Sequence, residues 1–318
     1  MKKKILVVGP SWVGDMVMAQ TLFKLLNQQS DVLIDVLAPE WSRPLLARAP
    51  EVRKSITMPI GHGQFNFMHR YVLGKQLQNE HYDQAIVLPN SWKSALIPFF
   101  ANIPLRTGFR GEFRYGLLND IHYLNKNQLP LMIQRFARLA FPKNIALRTE
   151  LPYPSLKIDA TQVKEALQKH ALQVRRPILA LCPGAEYGPA KCWPSKYFAD
   201  VANNKLNEGW DVWLFGSSKD VTIAREIQEA TSQRCIDLTG KTSLAEAIDL
   251  LSLAKAVVTN DSGLMHIAAA LAKPLIVVYG SSDPRFTPPL FDKASILSLH
   301  LPCSHCFFKS RIMLISSA

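Results

Sequence analysis

Acidic residues and cysteines are both scarce in these 318 residues, and no apolar run approaches the ~20 residues that a membrane-spanning helix requires. There are 25 Asp and Glu against 37 Lys and Arg, for a formal charge of +12. A basic chain of this kind attracts anionic partners. Of the five cysteines, Cys182, Cys192 and Cys235 stand alone and read as reduced, small buried residues of a cytoplasmic protein. Cys303 and Cys306 have C-x-x-C spacing, but no second ligand pair follows, which argues against a zinc site. The N-terminal lysines lead into a short strand-like run rather than the apolar core and cleavage site of a signal peptide, so the expected location is the cytoplasm. A hydrophobic content of 48% suffices for a full core and, at this length, for two domains.

Two familiar phosphate loops are also missing. Lys4-Ile5-Leu6-Val7-Val8 reads as a strand, Gly9-Pro10-Ser11-Trp12-Val13-Gly14 as a loop, and residues 15–26 as a helix. Ser11 stands where the dinucleotide fingerprint needs its second glycine, which argues against a nicotinamide oxidoreductase. Gly9 and Gly14 have P-loop spacing, but Asp15 replaces the lysine, and a carboxylate there repels phosphate. What remains is an acid at a helix N-terminus beside a strand end. Such a group suits a general base, and equally a charge that complements the helix dipole.

What is present is alternation. Strand-like runs at 4–8, 32–37 and 84–88 alternate with helical stretches at 15–26, 43–48 and 73–79. In the second half, strands at 178–182, 211–215, 256–259 and 275–279 alternate with helices near 197–207, 221–230, 244–253 and 264–272. The pattern predicts an α/β protein with two parallel sheets flanked by helices. Pro152 and Pro154 mark a linker between expected domains 1–155 and 156–318, and an amphipathic helix follows around 160–170. Ligands in such sheets collect at the carboxyl ends of strands, so Asp15 and Asp261 are expected to line one cleft between two facing domains.

Three further segments carry chemistry. In Thr259-Asn260-Asp261-Ser262-Gly263-Leu264-Met265-His266 a strand gives way to a helix that Asp261 or Ser262 can cap. Its free N–H groups and Gly263 make a phosphate seat, or else simply an ordinary capped helix, with His266 in the first turn. The loop 182–194 is too rich in Gly and Pro to be helical; Lys191 in it either neutralises a diphosphate or is an exposed loop lysine. Residues 1–150 hold 19 Lys and Arg against 10 Asp and Glu, while the remainder holds 18 against 15. Within 93–114, Lys93, Arg106, Arg110 and Arg114 are interleaved with Phe99, Phe100, Phe109 and Phe113, just after Trp92. That mixture fits an anionic amphiphile, or a solvated basic face around an aromatic core. Nucleic acid ranks below both, because no nucleic-acid-binding motif is visible.

Taken together, Gly9 to Asp15, Pro183-Gly184-Ala185-Glu186 with Lys191 and Trp193-Pro194, and the 259–266 motif resemble the ADP-heptose:lipopolysaccharide heptosyltransferases of glycosyltransferase family 9, most closely those of type II. Leu88-Pro89-Asn90-Ser91-Trp92-Lys93-Ser94-Ala95 and Arg106-Thr107-Gly108-Phe109-Arg110-Gly111-Glu112 share the resemblance, which covers residues 3–306. It implies a GT-B fold of two Rossmann-like domains facing across a central cleft, the first taking the lipopolysaccharide inner core and the second ADP-heptose. It also implies inverting transfer to the first heptose of the core, without metal or cofactor, by a protein peripheral to the inner face of the inner membrane. No Asp-x-Asp pair is present to hold a metal.

Carried over residue by residue, the resemblance makes Asp15 the catalytic base. It places Lys191, Asp261, Ser262, Gly263, Leu264, His266, Glu186, Gly216 and Thr242 around the donor, and Asn90, Lys93, Arg110 and Arg114 around the acceptor. A type I enzyme acting on Kdo-lipid A would share Asp15 and the donor loop. Residues 308–318 lack the closing helix pattern of the family, which raises the expectation of a truncation or frame change near Phe307 and of an inactive nucleotide-binding remnant.

Overall fold

The structure, a computed structural model, describes residues 2–29, 31–61, 63–186 and 188–299. Cys303, Cys306 and the expectation of a lost closing helix lie outside the described residues. The chain forms two compact units, Met1–Pro154 and Ser155–Ala318.

The first unit runs β1 (Lys3–Val8), α1 (Val13–Gln29), β2 (Val32–Ala38), α2 (Arg43–Leu46), β3 (Val52–Thr57), α3 (Phe67–Leu77), β4 (Gln84–Val87), α4 (Leu96–Phe100), β5 (Leu105–Phe109), β6 (Asp120–His122) and α5 (Met132–Arg138). Its six strands lie in the order β3-β2-β1-β4-β5-β6, all parallel, with Val8 opposite Leu37 on one side and Val87 on the other. Helices cover both faces of such a sheet, so its inner strands are apolar throughout rather than in alternation. Ile5, Leu6, Val7 and Val8 are accordingly all buried. Leu6, Val8 and Val87 pack with Leu77, Ala95 and Ile97 on one face, while Leu25 of α1 packs with Ala137 of α5 on the other.

The second unit repeats the winding with α6 (Ala160–Lys169), β7 (Ile178–Cys182), α7 (Ser195–Asn207), β8 (Asp211–Leu214), α8 (Val221–Ala230), β9 (Ile236–Asp237), α9 (Leu244–Leu251), β10 (Ala256–Asn260), α10 (Gly263–Ala270), β11 (Leu275–Tyr279) and β12 (Ala294–Ser298). Its parallel order is β12-β11-β10-β7-β8-β9. Leu179, Leu181, Val212 and Leu214 bury one face against Phe198, Ala202, Ala224 and Ile227 of α7 and α8. In each sheet the strand order reverses once, between β1 and β4 and between β7 and β10. The carboxyl ends at such a reversal splay their loops apart and leave a crevice for a ligand.

The alternation predicts three strands and then four, whereas each sheet has six. The extra ones lack a strong apolar signal: β3 carries Arg53 and Lys54 on a sheet edge, β5 is interrupted by Gly108, β6 has three residues and β9 two, and β12 is a half-exposed edge. Cys182 and Cys235 are buried free thiols, and Cys192 is half-buried.

Candidate functional site

At the reversal in the first sheet, the loop after β1 turns directly into α1, which starts at Val13 and puts Asp15 in its first turn. Asp15 is half-buried and Trp12 beside it is exposed. The loop after β4 brings Asn90 and Lys93 to the same sheet edge. Asn90 is exposed and its Oδ1 accepts from Arg114 Nη2 at 3.1 Å, while Lys93 Nζ donates to the carbonyl of Gly63 at 2.8 Å. Arg110, past β5, is exposed, with its guanidinium 5.6 Å from the Tyr123 ring centre.

Arg114 departs from the expectation of a side chain facing an anion. It is 1% exposed and donates to the carbonyls of Phe109 and Pro89, both at 2.6 Å. Burial draws its pKa down to about 10, with Glu112 opposing, so it stays charged at neutral pH. Its work is to tie the loops after β4 and β5 together. Sequence cannot separate such an arginine from its exposed neighbour Arg110, because both stand among aromatics.

In the second unit, the loop after β7 and the start of α10 meet at the reversal. Ser262 caps α10 by accepting from Met265 N–H at 3.4 Å. Lys191, at the end of the short turn Pro189–Lys191, places Nζ 2.5 Å from Asp261 Oδ2. Asp261 is 5% exposed, so the two charges neutralise one another largely away from water. Gly263 and Leu264 follow at half-buried positions. The pairing joins residues 70 positions apart in sequence.

Two neighbours were not legible as site residues. Asn260 is fully buried; its Oδ1 accepts from Trp193 N–H at 2.9 Å and its Nδ2 donates to the Pro183 carbonyl at 2.6 Å, so one side chain clamps both ends of the loop. Asp220 accepts from the N–H and hydroxyl of Ser217 at 2.7 and 2.8 Å. A Cβ on Gly184 would fall 2.2 Å from that carboxylate, so only glycine lets the loop come so close. Glu186, expected at the donor, is paired with Lys219, and Gly216 and Thr242 follow β8 and β9 along the same edge. A cavity of about 400 Å³ lies between this loop and the start of α8, lined by Glu186, Trp193, Lys219, Asp220 and Glu226. Its walls include neither Lys191 nor Asp261. Among the described residues no cluster of three His, Cys, Asp or Glu side chains could hold a metal.

His266 is buried under this edge, and burial drives its pKa from 6.5 to about 4, against the pull of Asp261 and with a contribution from Lys191. The unfolded imidazole takes a proton below pH 6.5 while the folded one resists until about pH 4, so stability is full above 6.5 and falls as pH drops through this window. The expected loss is up to roughly 3 kcal/mol. Urea unfolding of wild type and His266→Gln from pH 7 to pH 4 checks this; the variant should lack that part of the slope, and parallel curves would refute it.

The profile of glycosyltransferase family 9 (heptosyltransferase) matches residues 70–315. Lipooligosaccharide heptosyltransferase 2 of Haemophilus influenzae is 52% identical over 307 residues, covering 93% of this chain and 88% of that protein. The structure of E. coli ADP-heptose lps heptosyltransferase II superposes with a TM-score of 0.86 at 47% identity, covering 96% of this chain and 92% of that one. Lipopolysaccharide heptosyltransferase 1 of Pseudomonas aeruginosa, by contrast, is 31% identical over 121 residues, which is 38% of this chain and 34% of that protein. With its two doubly wound sheets and a family profile matched over most of its length, the chain belongs to glycosyltransferase family 9, the heptosyltransferases.

Proposed function

We propose that this protein is an inverting, metal-independent glycosyltransferase that moves L-glycero-D-manno-heptose from ADP-heptose to the first heptose of the lipopolysaccharide inner core. The geometric observation that carries the donor half is the Lys191–Asp261 pair at the start of α10, at the reversal of a parallel sheet. The acceptor half rests on the likeness to type 2 enzymes, which spans nearly the whole chain where the type 1 likeness is partial.

In this reading the Asp15 carboxylate takes the proton of the acceptor hydroxyl as its oxygen attacks the anomeric carbon. The carbon–oxygen bond to the β-phosphate breaks on the opposite face, which inverts the configuration, and ADP leaves with the bonding pair. Charge grows on the phosphate as the bond stretches. A lysine ammonium and a helix N-terminus therefore stabilise the transition state more than the ground state. Gly263 and Leu264 offer backbone N–H groups there, and the neutral His266 beneath them adds no competing charge. Asn90, Lys93 and Arg110 receive the acceptor, with Arg114 bracing their loops. Work on a lipid-borne acceptor places the protein at the inner face of the membrane, and among the described residues no helix is long and apolar enough to cross it.

Incubation with ADP-heptose and lipopolysaccharide acceptors truncated before or after the first heptose, read by product mass, tests the reading. One added heptose is expected on the longer acceptor alone. Transfer to the shorter one would indicate a type I activity, and no transfer to either would overturn the assignment.

A further inference from the structure

Helix α3 is apolar on its outer side as well as its inner one. Its buried side carries Arg70, Gly74 and Leu77, while Phe67, Met68, Tyr71 and Val72 are exposed, Met68 by 64%. Arg70 is held in by the carbonyls of Phe65, Lys93 and Gln64, at 2.6, 3.2 and 3.2 Å. Gly74 lets the helix lie flat on α4: a Cβ there would meet Phe100 Cβ at 2.5 Å and the Ile97 carbonyl at 3.0 Å. With those anchors the orientation of α3 is fixed: Leu73 and Leu77 pack against the sheet, and Phe67, Met68, Tyr71 and Val72 are left facing outward.

These side chains continue into a surface of rings. Phe65 stands 5.0 Å from Trp92 and 6.1 Å from Phe67, Phe67 stands 5.5 Å from Phe100, and Phe100 touches both Tyr71 and Phe99. The rim is basic. Lys75 lies over the Tyr71 ring at 5.7 Å and Arg106 over Phe99 at 5.6 Å. Of the cations in segments 61–79 and 84–111, Lys75 and Arg110 are exposed, while Arg70 and Arg106 donate to backbone carbonyls; the one carboxylate close by, Glu112, accepts from Trp92 N–H at 3.2 Å. An exposed apolar patch of this kind marks an interaction site, and the excess of cations on its rim favours an anionic occupant.

We infer that this face of the first unit docks on an anionic phospholipid bilayer, with Phe67, Met68, Tyr71 and Val72 entering the headgroup boundary and Lys75 pairing with lipid phosphates. Aliphatic and aromatic side chains on one side of a helix match hydrocarbon, and flanking cations match a negative leaflet. A nucleic acid would leave Met68 and Val72 without a complementary surface. The inference stands on exposure and charge and does not depend on the transferase reading.

Cosedimentation of the whole protein with vesicles of phosphatidylethanolamine and phosphatidylglycerol tests it, with phosphatidylcholine vesicles as the neutral control. Wild type is expected to sediment with the anionic vesicles and to bind the neutral ones weakly. Met68→Ser/Val72→Ser should lower anionic-vesicle partitioning at least tenfold, about what removal of two apolar side chains from a boundary implies. Lys75→Glu should lower it further in low salt. Both substitutions lie outside the proposed site, so transfer to a detergent-free soluble acceptor fragment should be unchanged. Wild type that ignores anionic vesicles, or a double variant that binds them as wild type does, overturns the docking and leaves the transferase assignment intact. A wild-type dimer that Met68→Ser/Val72→Ser converts to monomer, without any change in vesicle binding, would give the face to a second copy instead.

Discussion

Asparagine at position 15 is expected to lower turnover at least ~100-fold while ADP-heptose binding stays nearly unchanged, the effect of losing a general base. The substitution keeps size and shape in the first turn of α1 while removing the charge and the ability to take a proton. Steady-state kinetics paired with calorimetric titration of ADP-heptose separates the two quantities. If Asp15 merely complements the dipole of α1, the variant instead loses up to ~1 kcal/mol of stability and turns over within a few-fold of wild type. Denaturant unfolding distinguishes these outcomes, because the base reading predicts a stable but inactive protein. Turnover within a few-fold of wild type removes Asp15 from the mechanism.

Lys191→Ala is expected to weaken donor affinity and turnover together. A charge-assisted hydrogen bond to a phosphate contributes about 1.5–3 kcal/mol, or roughly ten- to a hundred-fold, and the developing charge on the leaving group adds to that in kcat. The variant also strips the nearly buried Asp261 of its counterion, a change that destabilises folded proteins. The double variant Lys191→Ala/Asp261→Asn resolves the two effects. It should recover unfolding stability, since no bare carboxylate remains, and should stay slow. Recovery of turnover along with stability would make Lys191 a brace for Asp261; unchanged kinetics in the single variant would return it to the loop surface.

The α/β architecture was legible because the inner strands β1, β4, β7, β10 and β11 are short apolar runs followed by loops and helices, and helices on both faces demand that composition. The edge strands were not, since β3 and β12 are solvated on one side and their composition resembles that of loops. The junctions at Asp15 and at 259–266 were legible for a related reason: at each, a strand signal changes into a helix signal within a few residues. Pairings were invisible. Nothing in the spacing of Lys191 and Asp261 says that they meet, and Arg114 reads like Arg110 until the carbonyls of Phe109 and Pro89 are seen around it. The outward apolar face of α3 was obscured in the same way, because a buried arginine and a close-packed glycine reverse the usual sense of an amphipathic pattern.

Asn260 has a consequence for how this protein can change. One carboxamide accepts at Trp193 and donates at Pro183, so an aspartate would turn a lone pair toward a carbonyl and a leucine would abandon both ends. Both ends of the intervening segment are thus pinned from β10. Apart from Gly184 and Lys191, residues between those two anchors can drift in sequence, provided the amide beneath them is left alone.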